Sequence, residues 1–165
     1  MGTREHSYRL RLRWTGNTGT GTSGYADYKR DHEIGSHGKG PIACSSDPHF
    51  RGDRSRWNPE ELFVASLSAC HQLWYLHLCA DAGVRVTAYE DEPEGVMMEE
   101  LDGSGRFTRV VLRPRVGITA ESSRPLALSL HERAHALCFI ANSVRCPVHI
   151  EPSVQAEPGP RVEPR

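Results

Sequence analysis

The chain has 165 residues, enough for one domain with a substantial core and too few for two comfortable ones. Its 20 Lys plus Arg against 21 Asp plus Glu leave a net charge of -1, so there is no overall field to recruit nucleic acid or an anionic membrane surface. No apolar leader follows Met1 and no 18-residue apolar run occurs, which predicts neither a secretory signal nor a spanning helix and places the protein in the cytoplasm.

Residues 7–14, SYRLRLRW, alternate Tyr8, Leu10, Leu12 and Trp14 with three arginines and predict a half-buried strand. The turn-rich GNTGTGTSG follows, then an extended polar segment to Ile34, then a long loop to Trp57 with a short strand near Ile42. Asn58 as N-cap, Pro59 at the first helical position and Glu60 and Glu61 behind them open a helix over about 59–82 that Gly83 stops. Its apolar residues occupy nearly every side, which puts it at the centre of the fold. A strand from Val84, a hairpin of 95–100 with 106–118, a second helix over about 125–145 and a last strand at Val148 and Ile150 complete an α+β pattern with antiparallel sheets. Residues 1–150 read as a single domain and 151–165 as a mobile, proline-rich tail.

The cysteines at 44, 70, 79, 138 and 146 contain no CxxC pair, which argues against a disulfide scaffold or a zinc ribbon and leaves free or redox-active thiols. Phe63, Leu67, Cys70, Trp74 and His77 share a stripe of the first helix; His131, His135, Cys138 and Asn142 share one on the second. Two such helices packed about 8–10 Å apart bring the two mid-helix thiols within disulfide reach. Taken singly, each cysteine is more often a small buried hydrophobe, and His77 and His131 are more often packed or surface histidines than ligands; His71 is open between orienting the site, binding a metal and packing as a satisfied core histidine, the last being favoured. His131, His135 and Cys138 also have ligand-like spacing, a weak signal for zinc without further donors.

The string Asn58-Pro59-Glu60-Glu61-Leu62 leading through Ala65 and Ser66 to Ser68-Ala69-Cys70, followed by Ala134-His135 before Cys138, resembles the OsmC/Ohr family of thiol-dependent hydroperoxide reductases. The SSDPHFRGD segment, the SACH junction and the CFIANSV run look like a third branch of it, distinct from typical OsmC and typical Ohr. The resemblance implies an OsmC-like fold with two long central helices in an intertwined homodimer. It implies an organic hydroperoxide reductase that needs no cofactor or metal. Cys70 matches the peroxidatic cysteine, Cys138 the resolving one, Glu60 the catalytic glutamate and Arg51 the loop arginine, with Arg54 and Arg56 as alternatives. Phe63, Leu67 and Trp74 are expected to line an apolar substrate pocket, and a dithiol, lipoyl-type in Ohr-like members, to recycle the disulfide. A non-catalytic ligand-binding or metal-binding dimer is the alternative. Cys146-Pro147-Val148 is a competing resolving motif.

Overall fold

Asn58 and Glu61 cap each other: the Asn58 side chain accepts the Glu61 N–H at 2.7 Å and the Glu61 carboxylate accepts the Asn58 N–H at 3.1 Å. From that capping box, in a computed structural model that describes residues 3–157, helix α1 runs over Pro59–Asp81. At its far end Gly83, at φ 72°, takes the left-handed turn that a side chain resists, and Val84 N–H closes onto the Cys79 carbonyl at 2.8 Å. The start and stop legible in the sequence are therefore the physical ones. The described residues gather into two compact units, one up to Leu62 and one from Phe63 onward.

The first unit is a three-stranded antiparallel sheet of β1 (Arg11–Trp14), β2 (His32–Gly35) and β3 (Ile42–Cys44), in that order. Leu12, Ile34 and Ile42 lie opposite one another across the three strands, and Arg13 pairs with Glu33 at 2.8 Å. The alternation of residues 7–14 predicts a half-buried face, but Tyr8 is 87 % exposed, Leu10 72 % and Leu12 63 %. Among the described residues of this unit, nothing covers that row.

In the second unit, β4 (Val86–Asp91) and β5 (Glu94–Glu99) are followed by β6 (Gly105–Leu112) and β7 (Pro114–Thr119). The single strand expected over 106–118 is broken at Arg113, because Pro114 has no N–H for a continuing ladder and the Arg113 N–H turns instead to the Asp91 carboxylate at 2.7 Å. The two halves enter different sheets. Helix α2 (Arg124–Leu137) is capped by the Ser123 side chain and is followed by β8 (Val148–Ile150) and β9 (Ser153–Glu157). The sheet orders are β5-β6-β8 and β4-β7-β9; β8 and β9 join in parallel, so the sheets are mixed rather than wholly antiparallel. β9 occupies part of the stretch read as a mobile tail; residues 158–165 of that stretch lie outside the described residues.

Helix α2 ends eight residues earlier than the sequence suggests. Cys138 leaves the helix with ψ 110°, its N–H bonds back to His135 at 3.2 Å, and the Asn142 side chain donates to the Ala136 carbonyl at 3.0 Å. These local bonds satisfy the carbonyls of the last turn, so the chain has no need to continue the helix. Tyr75, Leu78, Val116, Ile118, Leu130 and Val154 form the main core; Leu67, Val110 and Leu112 form a second. Among the described residues no helix is long and apolar enough to cross a membrane.

Candidate thiol site

All five cysteines are free. Cys44 and Cys79 are fully buried packing residues, and Cys146 is half-buried against the second core. Cys70 is different: it is half-exposed on α1 and lines an open apolar groove of about 300 Å³ with Leu73, Trp74, His77 and Phe139. Leu73, Trp74 and His77 stand three, four and seven residues after Cys70, the helical spacing that carries a stripe away from it. Trp74 meets the Phe139 ring edge-on at 5.5 Å.

Cys138 is the thiol beside Cys70. It is 1 % exposed, and its thiol has the Cys70 thiol as a hydrogen-bonding neighbour. Burial pushes Cys138 up to about 11 and the Cys70 partner pushes the same way, against backbone N–H groups of Ala141 and Ile140. The Ala141 N–H reaches the Cys138 sulfur at 3.4 Å. Cys138 therefore rests as a thiol, and a partial positive field from backbone dipoles already faces its sulfur for the moment it ionises.

Next to Cys70, His71 turns into the core. Its Nε2 lies 3.0 Å from Nδ1 of His131 on α2, both rings are 1 % exposed, and Tyr75 stacks on His131 with centroids 3.8 Å apart. Burial, with His135 nearby and Asp91 opposing, takes His71 down to about 4; burial and His71 take His131 down to about 3. Both imidazoles are neutral at pH 7.

Of the expected pocket residues only Trp74 borders the groove. Phe63 packs on Phe107 with centroids 4.6 Å apart, and Leu67 is fully buried with Val110 and Leu112. Leu73, His77 and Phe139 were not singled out as pocket residues from the sequence, although two of them follow directly from counting along the helix.

Arg51 and Glu60 belong to the first unit. Arg51 ends a 3-10 turn over Pro48–Phe50 in the left-handed conformation at φ 66°, unusual for a residue with a side chain, and Asp47 caps that turn through the His49 N–H at 2.7 Å. The loop also requires Gly52, where a Cβ would sit 1.5 Å from the Ser46 carbonyl oxygen. The Arg51 guanidinium lies 5.9 Å from the Tyr25 ring centroid and has no ion-pair partner among the described residues, whereas Arg56 sits 3.8 Å from both Asp31 and Asp53. The caps leave the same contrast between the glutamates: Glu61 is committed to Asn58, and Glu60 has no hydrogen-bond partner among the described residues. Also among these residues, no three His, Cys, Asp or Glu side chains are placed to hold one metal ion.

A helix-borne thiol met by a second thiol beside a mixed α+β sheet defines a class of protein, and comparison with known proteins identifies it. The family model described as OsmC-like protein matches residues 52–153, and the chain belongs to that family. An OsmC-like protein of unknown function from Vibrio cholerae is 32 % identical over 92 % of this chain and 100 % of its own, with a TM-score of 0.77. The organic hydroperoxide resistance protein OhrB of Bacillus subtilis (19 % identity, 91 % and 98 % covered, TM-score 0.60) shares the fold. So does an organic hydroperoxide resistance protein OsmC from Legionella pneumophila (17 % identity, 93 % and 100 % covered, TM-score 0.66). No curated protein matches the chain.

Proposed function

We propose that this protein is a thiol-dependent peroxidase that reduces organic hydroperoxides to alcohols, with Cys70 as nucleophile and Cys138 as resolving thiol. The observation that carries the reading is the juxtaposition of these two free thiols, a half-exposed Cys70 that lines an apolar groove and a buried Cys138 beside it. The Cys70 thiolate attacks the terminal peroxide oxygen, the O–O bond breaks, and the departing alkoxide takes up a proton as the alcohol. The sulfenic acid at Cys70 then condenses with the Cys138 thiol, forming the S–S bond and releasing water. A dithiol, by exchange, returns both to thiols. Trp74, Leu73 and Phe139 favour alkyl or lipid hydroperoxides over hydrogen peroxide, by about 0.8 kcal/mol per buried methylene.

Arg51 and Glu60 are the groups we assign to the peroxide, on the strength of their motif positions and their lack of competing ion pairs among the described residues. A guanidinium stabilises the thiolate and the oxygen that gains charge, and a carboxylate orients the guanidinium and accepts the hydroperoxide proton. Ten residues of helix rise about 15 Å, more than a glutamate side chain spans, so the assignment of Glu60 goes with the intertwined homodimer that the family resemblance implies, with its sites where the central helices meet. The exposed row of Tyr8, Leu10 and Leu12 supports the same homodimer. A cytoplasmic setting suits it, since thiols are kept reduced there.

The test is consumption of tert-butyl hydroperoxide with dihydrolipoamide or dithiothreitol as reductant. The wild type is expected to turn over many equivalents and Cys70→Ser none; equal rates in the two proteins contradict the reading. Sedimentation at micromolar concentration checks the assembly, where a folded, active monomer contradicts the dimer.

A further inference from the structure

His71 and His131 are 60 residues apart in the chain, fully buried, and bonded to each other through one nitrogen each. The other nitrogen of each ring, Nδ1 of His71 and Nε2 of His131, has no hydrogen-bond partner among the described residues. A pair of leucines would fill this space without leaving two buried nitrogens unpaired, so solubility in the core does not account for the choice of imidazole. What the pair supplies is direction. Each neutral ring has one N–H, so one nitrogen of the contact donates and the other accepts, and that bond is made at only one setting of α1 against α2. The parallel stack of Tyr75 on His131 fixes the plane of the ring that makes it.

The position of this bond matters because of what flanks it. His71 follows Cys70 directly on α1, and His131 stands seven residues, two helical turns, before Cys138. We propose that the His71–His131 hydrogen bond is a clamp between the two helices that holds Cys138 opposite Cys70, making both histidines positioning residues for the thiol pair. The thiol contact is one point of attachment between the segments and the imidazole contact is a second; two points fix the slide and the roll that one leaves free. Since the thiols pair within a single chain, the stability of their disulfide follows how often the reduced protein presents them face to face. This rests on the reading of Cys70 and Cys138 as a redox pair.

The two amide side chains provide a matched test, because asparagine places its amide near the Nδ1 position of histidine and glutamine near Nε2. His71→Gln and His131→Asn keep a group where the contact is made; His71→Asn and His131→Gln move it away. The reduction potential of the Cys70–Cys138 disulfide is measured for all four in dithiothreitol redox buffers, in a Cys146→Ser background, with thermal melts as the check on folding. The two contact-keeping variants are expected within about threefold of the wild-type disulfide equilibrium constant. The two contact-breaking variants are expected to favour the dithiol tenfold or more, about 30 mV less negative.

Four variants that shift alike, or none that shifts, overturn the clamp. So does failure to fold in both contact-breaking variants alone, which assigns the pair to the fold rather than to the thiols. A wild-type protein that forms no Cys70–Cys138 disulfide in any oxidising buffer overturns the redox reading and the clamp together. One that forms the disulfide yet consumes no hydroperoxide overturns the peroxidase reading alone and leaves the clamp to the variants.

Discussion

Cys70 and His71 are consecutive residues on one helix and live in opposite environments. The thiol borders an open groove with exposed Leu73 and Phe139, while the imidazole is 1 % exposed and stacked among Tyr75 and His131. One hundred degrees of helical rotation separates a surface built to meet a partner from a core built to hold a geometry. The division predicts that substitutions on the groove side change turnover and leave stability alone, that substitutions of packing residues such as Leu67 do the reverse, and that those at His71 and His131 act on the thiol pair through the geometry they hold.

The largest expected effect is on the groove side. Cys70→Ser should lower peroxide turnover by at least about a thousandfold, as loss of a nucleophile does, with the melting temperature within a few degrees of wild type. A comparable loss of stability would mean that Cys70 belongs to the core. Arg51→Ala is the next test, with an expected slowing of about tenfold to a thousandfold from loss of charge stabilisation at the cleaving bond. Unchanged peroxide kinetics there, with a slow Arg54→Ala or Arg56→Ala, would move the assignment to another arginine of the same loop.

On the core side, Leu67→Ala should cost about 2–5 kcal/mol in denaturant unfolding and leave substrate preference untouched, because Leu67 is fully enclosed by the second core. A shift in preference among hydroperoxides without a stability loss would return Leu67 to the pocket expected from the sequence. The histidines add a pH signature. Their folded values, about 4 and about 3, lie below the ordinary value of about 6.5 that they regain on unfolding. Their contribution is therefore complete above about pH 6.5 and is lost as the pH falls toward 4 and then 3, because the unfolded chain binds the protons first. Unfolding midpoints measured at pH 7, 5.5 and 4.5 should fall steeply in the wild type and less so in His131→Asn; parallel curves would mean the rings are already charged in the native state. The smallest effect is expected of Trp74→Ala, a loss of preference for long over short alkyl hydroperoxides of about 0.8 kcal/mol per methylene no longer covered.

The same division marks what could be read from the sequence. Local signals were legible: the Asn58–Glu61 capping box, the stop at Gly83 and the motif around Cys70 all act within a few residues of themselves. What failed was long-range or depended on competition between local bonds. Pro114 sits in a run of apolar residues that reads as one strand, and only the pull of Asp91 on the Arg113 N–H shows it to be a corner. The end of α2 at Cys138 is set by bonds to His135, Asn142 and Ala141, none of which is a strong helix-stop residue. The parallel partners of β8 and β9 come from strands about 40 residues earlier. The packed-or-surface reading of His131 and the satisfied-core reading of His71 leave out their contact, because nothing in the chain's periodicity announces that they pack on each other. The groove residues Leu73 and His77 were legible, and lay simply at the next helical positions past Cys70.

The ending of α2 sharpens one question, because Cys138 at a helix terminus and Cys146 beyond it are both outside regular helix. The Cys138 thiol is the one that neighbours Cys70, and Cys146 packs instead with Phe63 and Phe107. Peptide mapping of the reduced protein after one equivalent of organic hydroperoxide tests this directly. A Cys70–Cys138 disulfide is expected as the sole product, and accumulation of sulfinic acid at Cys70 when Cys138→Ser is treated the same way. A Cys70–Cys146 linkage, or unoxidised Cys70 with the hydroperoxide unconsumed, would contradict it.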